Sequence, residues 1–451
     1  MYRVFRTRLQ GGLPAVRATL RIRSGRPVTA AARDGRAMLR HRADGLVAFF
    51  ALGMPLFCAC RSHPLAVRSD AGSEPGLACS EGFTPPVTYS TGSSFHLDSV
   101  QVADLDADGH PDLAWAGWTT TNRTDVPSLG VLLNREDGTF SDQFLSTTSS
   151  GSLVVADFNG DSRLDLAAIQ PSSFSVGVSF NQGKGVFADP VDYPAGDGRA
   201  PPTGLVVGDL NGDHFPDLAF GHFVDAADSI RYQLGVFLNA GDGTLVTIPI
   251  VDAHDFVIES FAIADINGDG AGDIVASHGG SPAAIAVFLA NGAGTFSSPV
   301  TLDGGNCKPA VASNIVVADF DRDGRPDLAF SCDNQLRVFL NHGDPELLEG
   351  PVSYPGSPSV PIMANYYPTS AVGDLNADGF LDVAVRDGAS STVSLFFNRG
   401  DGTFVGPTVV ATGDGSTPGA VAIADLDGNG FPDIVLVNTD TISVLLSKCS
   451  P

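Results

Sequence analysis

Residues 319–330 read DFDRDGRPDLAF, with aspartates at the first, third, fifth and ninth positions and an apolar run directly after them. Two carboxylates about 4 Å apart repel by about 1 kcal/mol in water and about 4 kcal/mol near a protein surface. Crowding of this kind calls for a counter-charge, and a hard divalent cation held by oxygen ligands supplies one. In such a turn Asp319, Asp321, Asp323 and Asp327 offer carboxylates, Arg325 its backbone carbonyl, and Gly324 the tight bend. One isolated copy would read equally well as a solvated hairpin turn.

The copy is one of seven. The first positions are Asp104, Asp157, Asp209, Asp265, Asp319, Asp374 and Asp425, spaced by 53, 52, 56, 54, 55 and 51 residues. The third positions are Asp106, Asn159, Asn211, Asn267, Asp321, Asn376 and Asp427, and the fifth are Asp108, Asp161, Asp213, Asp269, Asp323, Asp378 and Asn429. His110, Arg163, Phe215, Ala271, Arg325, Phe380 and Phe431 stand at the seventh position as backbone carbonyl donors. The ninth is Asp112, Asp165, Asp217, Asp273, Asp327, Asp382 or Asp433. The spacing resembles that of Ca2+-binding EF-hand loops, so up to seven Ca2+ ions are expected. Ser162 and His214 replace the sixth-position Gly, which tolerates a left-handed backbone. The sites that begin at Asp157 and Asp209 are therefore expected to be weaker or empty.

Positioning these turns requires strands. An apolar run such as GLVVGDL precedes each turn and one such as DLAF follows it. A third run, for example LGVFLN at 234–239, leads into a Gly-rich turn such as RGDGTF at 399–404, and a short strand closes the unit. Gly-rich turns of this type join antiparallel strands. Four antiparallel strands in a unit of slightly over fifty residues, repeated seven times, predict an all-β, seven-bladed β-propeller over residues 79–451.

The repeats resemble the FG-GAP or VCBS repeats of integrin α-subunit propellers and their bacterial relatives. The resemblance implies that the aspartate turn joins the first and second strands of each blade and holds a structural Ca2+ on one face. It also implies that partner-binding loops lie on the opposite face. Closure can be read from the two ends of the repeat. The seventh unit stops at ISVLLSKCSP, and residues 79–92, CSEGFTPPVTYSTG, supply its missing outer strand. Aligned on residues 237–245, Cys79 and Cys449 fall on one column, which predicts a disulfide there, with two unrelated terminal cysteines as the alternative. Cys307 and Cys332 flank the first two strands of the fifth unit and form a second candidate pair.

Paired cysteines imply an oxidising compartment. The apolar segment at 45–59 follows Arg40 and Arg42 and is short for a membrane span, as expected of a signal-peptide core. Its end, FCAC, resembles a bacterial lipoprotein box with Cys60 as the lipidated residue, plain secretion being the alternative. Residues 1–59 are thus expected to be a leader, with 1–37 a misplaced start ahead of Met38, and 60–78 a tether. The expected location is the exterior or outer surface of a bacterial cell, with any membrane attachment through Cys60 alone.

The formal net charge is −25, or about −34 without the Arg-rich leader, and 23 of the acidic residues are the aspartates of the seven turns. The acidity is therefore mostly a metal-site property, and no basic patch favours nucleic acid. Motifs of the GxSxG, HExxH and phosphate-loop types are missing, so no enzymatic activity is expected. Binding is the leading expectation, by a monomer that recognises an extracellular protein or glycan. A carbohydrate-binding lectin is the alternative, and a polysaccharide lyase a more remote one. Candidate ligand-facing aromatics are Trp115, Trp118, Phe223, Tyr232, Tyr366 and Tyr367, in stretches read as loops at 115–128, 221–233 and 354–371. The competing reading packs these rings between blades. Because the stretches do not repeat, they favour one composite site over one pocket per blade.

Overall fold

The computed structural model describes residues 82–449 except 91–94, 122–123, 147–150, 197–199, 227–228, 249–250, 253–256, 280–283, 305–312, 333–334, 344–347, 357–369, 388–390 and 413–418, together with five short strands before residue 52. The chain divides into two compact units, Met1–Glu74 and Pro75–Pro451. In the first, Phe5–Arg6, Val16–Arg21 and Pro27–Ala31 form an antiparallel sheet, and Arg36–Met38 pairs with Phe49–Ala51. Cys60 and the expected tether lie outside the described residues. Among the described residues no helix is long and apolar enough to cross a membrane.

The second unit is a seven-bladed β-propeller of antiparallel sheets. The inner strands of blades 1 to 7 are Phe95–Ala103, Leu153–Ala156, Thr203–Gly208, Val257–Ala264, Ser313–Ala318, Ser370–Gly373 and Val421–Ala424. They surround a central cavity of about 690 Å3 lined by Ser99, Leu153, Thr203, Ile263, Val317 and Ser370 among others. Each second strand is covered on both faces by neighbouring blades, which explains its continuous apolar run. All six residues of Asp165–Gln170 and of Asp327–Cys332 are buried. The outer strands, such as Val191–Pro194, are largely exposed and keep one partly buried side chain. In Val87–Ser90 that side chain is Tyr89, whose ring meets Phe140 edge-on at 5.4 Å.

The core lies between blades. Seven apolar clusters each join two adjacent sheets, and one of them packs Leu113, Trp115 and Phe140 of blade 1 on Val435, Ile442 and Val444 of blade 7. The ring is thereby closed. Val87–Ser90 is the fourth strand of blade 7, with Ser90 opposite Thr441 and Val87 opposite Val444. A further bridge places Phe83 opposite Ser447, the register that the terminal alignment predicts. Cys332 and Cys449 are buried, and their expected partners Cys307 and Cys79 lie outside the described residues.

Two stretches read as loops are strands. Asp112–Thr121 with Thr124–Asn134, and Asp217–Ala226 with Ser229–Asn239, make hairpins longer than those of the other blades. Their Trp, Thr, Val and Tyr residues favour the extended backbone. Blade 3 also gains Val251–Asp252, paired with Gln233 and Leu234.

Candidate metal centre

The seven aspartate turns share one hydrogen-bond plan. The first-position carboxylate accepts the N–H of the fifth residue on one oxygen and that of the sixth on the other, at 2.7–3.2 Å. The third-position oxygen accepts the N–H of the fifth residue at 2.8–3.1 Å. The fifth-position oxygen accepts that of the seventh at 2.7–3.0 Å. Backbone donors thus curl the chain around side-chain oxygens and bring three oxygen-bearing side chains together.

The ninth-position aspartates differ from the rest because all seven are fully buried. Each accepts the second residue's N–H at 2.7–3.0 Å. The other oxygen accepts the N–H of the residue at the end of the third strand, at 2.6–2.8 Å. Burial outweighs these bonds and pushes the carboxyls of Asp112, Asp165, Asp217, Asp273 and Asp327 up to about 6, and those of Asp382 and Asp433 to about 7. The neighbouring aspartates push in the same direction. Asp106, Asp374 and Asp427 are also raised, first by burial and then by like charge.

These turns fit a hard cation. Carboxylate oxygens of Asp104, Asp106 and Asp108 lie within 4.8 Å of one another, as do those of Asp319, Asp321 and Asp327 and those of Asp425, Asp427 and Asp433. Blades 2, 3, 4 and 6 carry Asn at the third position, which keeps an oxygen donor and lowers the charge. In blade 5, His342 joins Asp321 and Asp323 within the same span. All-oxygen donor sets of this kind suit Mg2+, Ca2+ or Mn2+.

At the sixth position the bend expected of Gly is kept without it. Ser162 and His214 adopt φ of 69° and 70°, the left-handed conformation found at Gly109, Gly270, Gly324, Gly379 and Gly430. Their N–H groups bond Asp157 and Asp209 at 2.8 Å. These two turns are built like the others. The fourth position is left-handed as well, with Ala107, Arg322 and Ala377 alongside Gly160, Gly212, Gly268 and Gly428. Sequence reasoning missed this second bend.

It also missed an asparagine. Asn134, Asn181, Asn239, Asn341 and Asn398 stand at or just past the ends of the third strands and donate Nδ2 to a carbonyl in the preceding blade's turn: Leu426, Leu105, Phe158, Ile266 and Phe320 respectively, at 2.7–2.9 Å. The bond from Asn134 to Leu426 crosses the point of ring closure. The signal was the recurring LN or FN before each Gly-rich turn, with Ala290 and Ser447 as the exceptions.

The predicted ligand-facing aromatics separate. Trp115 is 3% exposed and packs over Gly130 in the core, so it is removed from the ligand set. The reason is register: the ring falls on the face of its strand that meets blade 7. Trp118 is half-buried and stacks on His96, with centroids 4.2 Å apart and planes at 15°. Phe223 and Tyr232 are cross-strand partners in the blade 3 hairpin. Tyr366 and Tyr367 lie outside the described residues.

The FG-GAP-like repeat profile matches residues 104–168, 157–220, 265–330, 319–385 and 374–436. Integrin alpha-7 from Homo sapiens is 28% identical over 182 residues, which cover 36% of this chain and 15% of that protein. Among solved structures, an Agrocybe aegerita lectin described as recognising non-reducing terminal N-acetylglucosamine aligns with a TM-score of 0.49 at 20% identity, over 76% of this chain and 86% of the lectin. A Lactobacillus plantarum protein aligns with a TM-score of 0.49 at 15% identity, over 72% of this chain and 88% of that one.

Proposed function

The chain belongs to the FG-GAP-like repeat family, and from that premise we propose that it is a calcium-stabilised binding module that works outside the cytoplasm, on the surface of the cell or secreted from it. In each blade the side chains at positions one, three, five and nine, with the seventh carbonyl, would hold Ca2+. The ion would neutralise the clustered carboxylates and fix the turn. Secretion, lipidation at Cys60 and the pairing of Cys79 with Cys449 and Cys307 with Cys332 belong to the same reading.

One observation carries it: the turns at one end of the blades follow a single plan, whereas the hairpins at the other end differ from blade to blade. A repeated end suits a structural role, and a varied end suits recognition. The stacked pair of His96, on the inner strand, and Trp118, on the long blade 1 hairpin, gives that end an aromatic platform suited to a protein hot spot or a sugar face. The reading assigns one composite site and no catalytic step.

The test combines capture from intact cells with a glycan array, each run in Ca2+ and in EDTA, on the wild type and on Trp118→Ala checked for folding by circular dichroism. Specific capture in Ca2+ that weakens in the variant supports the proposal. Release of unsaturated ends from pectic polymers would overturn it in favour of a lyase.

A further inference from the structure

Two of the seven turns carry a cation of their own. In blade 2 the Arg163 guanidinium pairs with the free oxygen of Asp161, and its Nε donates to the Asn181 carbonyl at 2.8 Å. In blade 5 Arg325 Nη1 pairs with Asp323 Oδ2 at 2.8 Å. Both arginines stand at the seventh position, and both carboxylates are fifth-position oxygen donors whose other oxygen already accepts a backbone N–H. The third-strand turns are shaped to receive the side chains. Gly343, at φ 70°, lies under the Arg325 guanidinium where any Cβ would collide, and Gly183 faces the Arg163 stem. Among the described residues, no other turn sets a guanidinium on its fifth-position carboxylate. Asp213, Asp269 and Asp378 instead accept a neutral amide from the third-position Asn at 2.8–3.0 Å.

We propose that Arg163 and Arg325 are built-in counter-ions that compete with the divalent cation, so that blades 2 and 5 are the low-affinity sites of the ring. The inference rests on the calcium reading above and adds a ranking of sites to it. A guanidinium cannot leave by deprotonation. It must swing away or repel the incoming ion at close range. The same contact neutralises part of the turn when no ion is bound, so these two turns depend least on metal for their shape. The arginine side chains are 41% and 46% exposed, so the competition is screened by salt.

Calcium titration of the metal-free protein by calorimetry, with bound ions counted by equilibrium dialysis, tests this on the wild type, on Arg163→Ala/Arg325→Ala and on Arg135→Ala, which removes an exposed charge elsewhere. The wild type should show a weak class of two sites. In the double variant that class should tighten about tenfold, equivalent to about 1.4 kcal/mol, and 1 M NaCl should shrink the difference. The melting temperature should fall in EDTA and be maintained or rise in Ca2+, a crossing that a merely structural arginine would not give. A wild type with seven equal sites, or a double variant whose weak class is unchanged or weaker, would overturn the ranking and leave the calcium reading standing. Absence of bound Ca2+ in every variant would overturn both.

Discussion

Asp382 and Asp433 lie fully buried at the base of their turns, with carboxyls pushed up to about 7 by desolvation against an unfolded value near 4. Between those two values the folded chain binds more protons than the unfolded chain. In metal-free protein this contribution to stability is complete below pH about 4 and is lost as pH rises through 6 to 7. The five other ninth-position aspartates, at about 6, act in the same direction. Denaturant titrations in EDTA should therefore show stability falling from pH 5 to pH 8, and saturating Ca2+ should flatten that slope. A rise over the same range in EDTA would contradict the assignment. The asparagine at or just past the end of the third strand in five of the blades gives a second prediction at this scale. Asn134→Ala removes donors to Leu426 and Pro111 and leaves the buried Leu426 carbonyl without this amide. A loss of about 1–3 kcal/mol is expected from the urea midpoint.

The turn element shows what local chemistry hides. Its sixth-position bend was legible because Gly occupies that position in five copies. The fourth-position bend was not, because Ala107, Arg322 and Ala377 carry no sign of a left-handed backbone and are held there by the hydrogen bonds around them. Ser162→Gly and His214→Gly should each relieve a strained φ and, net of the greater chain entropy of Gly, stabilise the protein by about 0.5–1 kcal/mol in thermal melts. Strand order and the buried second strands followed from apolar runs that repeat with the turns. The long hairpins of blades 1 and 3 were misread because Thr, Asn and Asp interrupt them, although cross-strand pairing carries the sheet to Thr121 and Ala226. Trp115 went to the wrong set for a related reason, since only the register decides which face of a strand a ring takes.

Across the whole molecule, ring closure was legible from chain ends that complete one blade between them. Val87–Ser90 covers the third strand of blade 7, and without it Ile442 and Val444 would border an open edge. Deleting residues 79–90 should broaden the thermal transition and promote association on size-exclusion chromatography; a sharp, monomeric transition would mean that closure does not depend on this strand. The seven inter-blade cores supply apolar burial in every direction around the ring, and the seven acidic turns load one face with like charge. A cation that binds only the folded ring adds stability in proportion to the logarithm of its concentration at each site. The decisive measurement is the melting temperature of the oxidised, EDTA-treated protein as Ca2+ is titrated back. A continuous rise with Ca2+ beyond the lowest dissociation constant is the expected result, and a melting temperature identical in EDTA and in millimolar Ca2+ would contradict it.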